Sequence, residues 1–526
     1  MKFKVLITDQ ISDEGIDLLK ESGDFEIMIK LDLKPAELLE AVEDVDAHIV
    51  RSGTSVSSEL IESAKRLKVI CRAGVGVDNI DLDAATKRGI VVMNVPGVNS
   101  NAAAEHTMAL MLALSRNTAY ADRSLKEGRW ERTALTGTEL KNKKLGVVGF
   151  GKVGKEVALR ANAFEMDVQV YDPYISNEVI EENGMRPAEF DKLLGEVDYI
   201  TLHMPLNEDT KYIINKKSIS KMKNGVRIIN CARGGLIEEK ELKKALDSGK
   251  VAGAALDVFE NEPPVGSPIL EADNVLLTPH LGASTEEAKM GVSLEACRQV
   301  RDYLVHKKAK NALNVAYAEG ELSPMMEPFV ELAGKIGSLQ SQLTGGEINE
   351  MKITCRGDLN EVSPIALSVL MGFISHSSTD PINNVNAHYI AKQRGIKVTE
   401  SYEHREENYR NIVESIVDGP NGKLVVKGTL FAGKHMRLVQ IDEYHMEVKP
   451  EGIMLVIKSD DKPGVIGKIG TILGEYKQNI AEFNLGRRKK GGIALSLVNL
   501  DSPLPHDAME KLTSEEEILS VNQVSF

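Results

Sequence analysis

The chain has 526 residues, 42% of them hydrophobic and 27% charged, a balance that can bury several cores and suits three or four globular domains. Its formal charge of −14 disfavours broad binding to nucleic acid or to an anionic membrane. Cys71, Cys231, Cys297 and Cys355 form no Cys-x-x-Cys pair and no His cluster, which argues for a reducing compartment and against a metal site. The opening run MKFKVLITDQ is too short for a signal peptide, and no stretch approaches the roughly 18 apolar residues of a membrane span. A cytoplasmic protein is the expectation.

From Val5 to Val95, short β-branched runs (VLIT, FEIMI, AHIVR, KVICR, VVMNV) alternate with amphipathic segments such as SSELIESAKRL. That alternation predicts βα units and a parallel sheet. The apolar stretch NAAAEHTMALMLALSR predicts a helix that crosses between lobes or packs between subunits. A second βα series begins at KLGVVGFGKVG and runs through VQVYDP, DYITLHMP, VRIINCARGG, AGAALDVF and NVLLTPH, before a long helical segment, STEEAKMGVSLEACRQVRDYLVHKK. Two doubly wound α/β lobes follow, one flavodoxin-like and one Rossmann-type. The first is expected to be discontinuous, residues 1–98 plus 284–314, with the second inserted as 99–283. Residues 315–450 mix helices with a late β-rich run turned at DGPNGK and FAGKH, an α+β unit. Residues 451–526 read βαββαβ, a ferredoxin-like unit.

The GFGKVG stretch carries the G-x-G-x-x-G spacing at Gly149, Gly151 and Gly154. It follows a predicted strand, opens a predicted helix, and has Asp172 eighteen residues beyond Gly154 at the end of the next strand. That context is the dinucleotide-binding fingerprint: a tight turn, close backbone approach to a pyrophosphate, and a helix N-terminus facing the phosphates. Asp172 can accept ribose hydroxyls and would repel a 2′-phosphate, so NAD is favoured over NADP.

Three chemically capable residues fall just beyond predicted strand ends, where open α/β sheets bind ligands: Arg233, Glu262 and His280. Arg233 can grip a carboxylate with its planar fork, and Gly234 and Gly235 are expected to leave room for ligand. Glu262 beside His280 would orient the imidazole and favour its protonated form, making His280 an acid/base for a 2-hydroxy acid. Singly, a strand-end histidine and a loop glutamate also read as structural.

NCARGGLI, ALDVFENEPP and LLTPHLGAST resemble the signatures of the D-isomer-specific 2-hydroxyacid dehydrogenases, whose catalytic Arg, Glu and His match Arg233, Glu262 and His280. The resemblance further implies cofactor contacts at Lys152, Val153, Cys231 and Ala232, and at Asp257 facing the nicotinamide amide. Arg51 and Arg72 end successive strands of the first lobe. Two cations beyond a carboxylate clamp imply a second anionic group such as a phosphate, solvated strand-end arginines being the alternative. With GRWERTALTGTEL, these stretches resemble the family members that oxidise 3-phospho-D-glycerate to 3-phosphohydroxypyruvate in serine biosynthesis. The implied substrate contacts are Arg51, Arg72, the backbone at Gly74 and Val75, and Arg132 reaching into a neighbouring subunit's site. The rivals are a dehydrogenase for an unphosphorylated acid such as glycerate or hydroxypyruvate and, in a different class, an NAD-sensing binding protein on the same scaffold.

The resemblance extends to the chain's end. Residues 315–450 are similar to the intervening, allosteric substrate-binding domain of the family's long form, and 451–526 to its ACT domain, a module that pairs between subunits and binds amino acids at the seam. Asp461 would then hold the amino group of L-serine, with Asn479 contributed by the facing chain of a dimer or tetramer. Ser459 stands where relatives carry His or Tyr, and a purely structural dimerisation module is the alternative. Arg437, His445 and Lys449, on two strands of a predicted hairpin, match cationic positions of an anion site, or else protect an exposed strand edge.

Overall fold

The computed structural model describes residues 2–526 except 316, 318–321, 379–380, 405–407 and 421. Its first sheet holds β1 (Phe3–Ile7), β2 (Phe25–Ile29), β3 (Ala47–Val50), β4 (Val69–Arg72) and β5 (Val91–Asn94). They lie in the order β2-β1-β3-β4-β5, all parallel, the flavodoxin-like arrangement. The strands are apolar on both faces because helices cover both faces. One covering helix comes from far along the chain: Val292, Ala296, Cys297 and Val300 of Glu286–His306 share a core with Val5, Ile49, Cys71 and Met93. The side chain of Asn314 closes this return, accepting from Val92 N–H at 2.9 Å and donating to the Ile90 carbonyl at 2.8 Å.

The second sheet holds β6 (Lys144–Val148), β7 (Asp167–Tyr171), β8 (Arg186–Pro187), β9 (Tyr199–Leu202), β10 (Val226–Asn230), β11 (Val251–Leu256) and β12 (Val275–Leu277). Its order is β12-β11-β10-β9-β6-β7-β8, all parallel. The direction of winding reverses between β6 and β9, and that switch point opens a crevice at the strands' carboxyl ends. Two details depart from the sequence reading. The edge gains the two-residue β8, too short to carry a periodic pattern, and SSELIESAKRL yields only the helix Ser58–Ser63.

The third sheet contains β13 (Glu350–Arg356), β14 (Lys397–Glu403), β15 (Ile412–Gly419), β16 (Gly422–Phe431), β17 (His435–Ile441) and β18 (Tyr444–Val448), ordered β14-β13-β15-β16-β17-β18. Only β13 and β14 pair in parallel. Helices Glu327–Thr344 and Val362–His376 pack on one face, their crossing made close by Gly337 and Gly372, where a Cβ would run into the Val369 and Gly334 carbonyls. The last sheet, β19 (Ile453–Asp460), β20 (Ile480–Arg487), β21 (Ile493–Leu500) and β22 (Ile518–Ser525), is antiparallel in the ferredoxin-like order β20-β21-β19-β22. Among the described residues no helix is long and apolar enough to cross a membrane, and no His/Cys/Asp/Glu cluster could hold a metal. All four cysteines are free thiols.

Candidate active site

The glycine loop follows β6, and its three glycines have different tasks. Gly149 has φ +97°, and a Cβ there would lie 2.6 Å from the His203 carbonyl. A Cβ on Gly154 would run into the Gly149 carbonyl, so only glycine lets helix Lys152–Ala163 sit so close to the strand. Gly151, at the N-cap of that helix, faces open space. Unpaired N–H groups at such a helix start suit a pyrophosphate. Asp172, just past β7, braces the loop: its Oδ2 accepts from Phe150 N–H at 2.7 Å and its Oδ1 from Tyr174 N–H at 2.9 Å. Each oxygen keeps lone pairs that can accept ribose hydroxyls. These residues fit the adenosine diphosphate half of NAD.

Next to the loop a cavity of about 330 Å³ opens between the two lobes, walled by Lys152, Val153, Cys231, Ala232, Arg233 and His280 together with Val75 and the crossover around Pro96. Lys152 lies over Gly97 and donates to the Pro96 carbonyl at 3.2 Å. Burial pushes the Cys231 thiol up to about 12 and the His203 imidazole down to about 3, so both walls stay uncharged at neutral pH.

Arg233, Glu262 and His280 follow β10, β11 and β12 respectively. The His280 ring donates from Nδ1 to Glu262 Oε2 at 2.7 Å, while Glu262 Oε1 accepts from Phe259 N–H at 3.2 Å. With Nδ1 committed to a carboxylate, Nε2 is the nitrogen left to exchange a proton. His280 adopts φ +54°, with its N–H donating to the Asp257 carbonyl at 2.9 Å. Asp257 itself is fully buried, and its carboxylate is filled from within. It accepts from Thr278 Oγ1 at 2.5 Å, Leu281 N–H at 2.8 Å, His106 Nε2 at 3.1 Å and Gly282 N–H at 2.7 Å. Burial raises its pKa, but these donors outweigh burial and hold it below the usual carboxylate range. It shapes the loop carrying His280, and Gly282, rather than Asp257, lines the cavity. The glycine pair after Arg233 also differs from expectation. A Cβ at Gly234 would strike the Phe259 carbonyl and Gly235 has φ +76°, so chain packing and a left-handed turn, not room for ligand, require them.

Of the first lobe's arginines, Arg72 meets Arg233 at Gly76, whose carbonyl it bonds and whose Cβ would run into Arg233 Nη2. Arg72 ends β4 and donates from Nη1 to the Gly76 carbonyl, and its Nε is buried without a partner among the described residues. Burial, then the nearby Arg233 and Arg51, lower its pKa, the signature of like charges held together. Arg51 donates its backbone N–H to Asp9 at 2.5 Å and Nη1 to the Gln10 carbonyl at 3.3 Å. Gly74 N–H donates to the Arg72 carbonyl at 2.8 Å. Arg132 stands apart, exposed on the segment after helix Thr118–Lys126. Asp78, which the sequence reading passed over, lies 3.4 Å from Arg233 Nε. His203 and His106 were also missed. His203 follows β9 and His106 lies on helix Ser100–Ser115, and nothing in the spacing of either marks it in the sequence.

At the far end of the chain, Asp461 accepts from Gly491 N–H at 2.9 Å and Arg487 Nη1 at 3.1 Å, and these, the backbone amide first, hold it below the usual carboxylate range. Asn479 precedes β20 and donates to Asp501 at 2.8 Å. Asp461 meets the last residue of β20 while Asn479 precedes its first, so the strand's length, about 25 Å, separates them within one chain. Arg437 lies on β17 over the Phe431 ring at 5.6 Å, His445 is on β18, and Lys449 follows β18. The Leu438–Val448 register puts Arg437 across from Lys449.

Residues 108–282 match the family model of the D-isomer specific 2-hydroxyacid dehydrogenase NAD binding domain. Residues 325–442 match the D-3-phosphoglycerate dehydrogenase intervening domain. The D-3-phosphoglycerate dehydrogenase of Archaeoglobus fulgidus is 41% identical over 526 residues, 99% of both chains, and that of Methanocaldococcus jannaschii is 41% identical over 525 residues, again 99% of both. The chain belongs to the D-3-phosphoglycerate dehydrogenase family. It is an NAD-dependent dehydrogenase, with the glycine loop and Asp172 in the family's NAD binding domain. Among solved structures, D-lactate dehydrogenase from Aquifex aeolicus, complexed with NAD and lactic acid, is 30% identical with a TM-score of 0.52, covering 57% of this chain and 95% of its own.

Proposed function

We propose that the chain oxidises 3-phospho-D-glycerate to 3-phosphohydroxypyruvate in the cytoplasm, the step that commits carbon to L-serine. The observation that carries this reading is the convergence of Arg72 on Arg233 through Gly76, with Arg51 beside Arg72 and the His280–Glu262 pair on the cavity that Arg233 lines. Three guanidiniums match a substrate with a carboxylate at one end and a phosphate at the other. Arg233 grips the carboxylate and polarises the developing C2 carbonyl, Arg72 and Arg51 hold the phosphate, and the backbone at Gly74 and Val75 lines the seat between them. His280 Nε2 takes the C2 hydroxyl proton, and Glu262 balances the resulting imidazolium. Such a base contributes about 10²- to 10⁴-fold in rate. NAD supplies the hydride acceptor, held by Gly149–Gly154, Asp172, Cys231 and Ala232.

In this reading residues 1–98 with 284–314 form the substrate lobe, 99–283 the NAD lobe, 315–450 an intervening regulatory domain and 451–526 an ACT domain. Arg132 reaches the site of a neighbouring subunit in a homo-oligomer. L-Serine bridges Asp461 of one chain and Asn479 of the next, and the Arg437, His445 and Lys449 cluster takes an anion. The test follows NADH formation with 3-phospho-D-glycerate and with D-glycerate, each with and without millimolar L-serine. Strong preference for the phosphorylated acid is expected, and equal use of both would reject the phosphate seat. Inhibition by serine is expected as well, and its absence would reduce the terminal domain to assembly.

A further inference from the structure

Arg233 can offer a carboxylate two edges, and one nitrogen of the Nη1–Nη2 edge already donates to the backbone. Its Nη1 donates to the Ala232 carbonyl at 2.7 Å. The Nε–Nη2 side of the fork is the edge on which neither nitrogen is engaged by that carbonyl, and it is open to a bidentate grip. That side faces the segment Gly74–Asn79, which comes from the other lobe. Asp78 Oδ2 forms an ion pair with Nε at 3.4 Å, and a Cβ on Gly76 would run into Nη2. The segment is pinned along its length. Asn94 Nδ2 donates to the Val75 carbonyl at 2.6 Å, Arg72 donates to the Gly76 carbonyl, and Asn79 Nδ2 donates to the carbonyls of Arg51 at 2.7 Å and Thr54 at 2.6 Å. Asp78 is thus delivered to the clamp by fixed backbone, and only its side chain, 72% exposed, is free to turn away.

We propose that Asp78 is a resident carboxylate of the Arg233 clamp, which the substrate carboxylate must displace from the Nε–Nη2 edge in order to bind. The inference rests on Arg233 being the carboxylate clamp of the reading above. The exchange has two consequences. Binding is weaker than three converging arginines would allow, because a like-charged group is displaced into the same cleft. Release is helped, because Asp78 reclaims the guanidinium as the product's carboxylate leaves. An ion pair this exposed is worth no more than about a fivefold factor in an equilibrium, and removing a negative charge from an anion's seat acts in the same direction.

The test is Asp78→Asn, which keeps shape and removes charge, with Asp78→Glu as a second variant that keeps the charge. Asp78→Asn should lower KM about two- to fivefold, by the same factor for 3-phospho-D-glycerate and for D-glycerate, because both present the same carboxylate. Asp78→Glu should stay near wild type. Binding of oxamate, a carboxylate without a phosphate, to the enzyme–NADH complex by calorimetry reads the clamp independently of turnover, and its Kd should fall by the same factor in Asp78→Asn. An unchanged or raised KM and oxamate Kd would overturn the proposal. So would a gain confined to the phosphorylated acid, which would move Asp78's action to Arg72, or an equal gain in Asp78→Glu. If the wild type oxidises neither acid, the substrate reading fails while the oxamate measurement still decides the role of Asp78.

Discussion

At the scale of single residues, the fold turns sequence motifs into directed atoms. His280 and Glu262 stand eighteen residues apart in the chain, and their hydrogen bond leaves Nε2 as the ring nitrogen free to exchange a proton. His280→Gln keeps a polar side chain of similar reach but no base, so kcat should fall about 10²- to 10⁴-fold while NADH affinity, read by fluorescence titration, stays within about twofold of wild type. Turnover near wild type would place the base elsewhere. Both residues were legible from their strand-end positions and family motifs. Asp257 was legible only as a motif letter. Its carboxylate turns inward because four donors on the Thr278–Gly282 loop and on His106 satisfy it there, and a buried carboxylate without such donors would be costly.

At the scale of elements, helix Lys152–Ala163 is seated by the absence of one carbon atom. Gly154→Ala places a Cβ against the Gly149 carbonyl, which the backbone can relieve only by moving the helix off β6. Overpacking of this kind costs about 1–3 kcal/mol. The variant should show a lowered Tm and weakened NADH binding together. Gly151→Ala meets nothing within 4 Å, so it should cost less stability and act mainly on NADH binding; equal losses of Tm in the two variants would refute this division of roles. The G-x-G-x-x-G spacing announced the loop, but it did not distinguish the glycine that faces open space from the two that close the turn. The pair Gly234–Gly235 teaches the same lesson in reverse. Glycines beside a functional arginine read as space for ligand, whereas the neighbouring Phe259 backbone claims it.

At the scale of the whole molecule, the serine seat proposed above requires more than one chain. Asp461 and Asn479 sit at opposite ends of β20, so the seat forms only where two domains meet in opposite sense. Asp461→Ala and Asn479→Ala homo-oligomers should each lose serine inhibition, whereas hybrids made by mixing and refolding the two should regain part of it, because some seams then pair an intact Asp461 with an intact Asn479. Hybrids with no recovery would mean that the two residues do not share a seat. At this scale too, the long helix Glu286–His306 returns to the first sheet across the intervening 99–283 segment, which joins the lobes at two crossings and lets residues of both face one cleft.

The sequence by itself determined the fold class, the dinucleotide loop, the use of NAD and the placement of Arg233, Glu262 and His280 just beyond strand ends, because periodicity, glycine spacing and short motifs are local and survive without coordinates. Only the tertiary structure decided that Asp78 from one lobe faces Arg233 of the other, that Asp257 faces inward, that His280 spends Nδ1 on Glu262, and that Asp461 and Asn479 cannot meet within one chain. Those outcomes depend on which strand ends come together in space and on which donors reach a buried charge. Neither is encoded at any fixed distance along the chain.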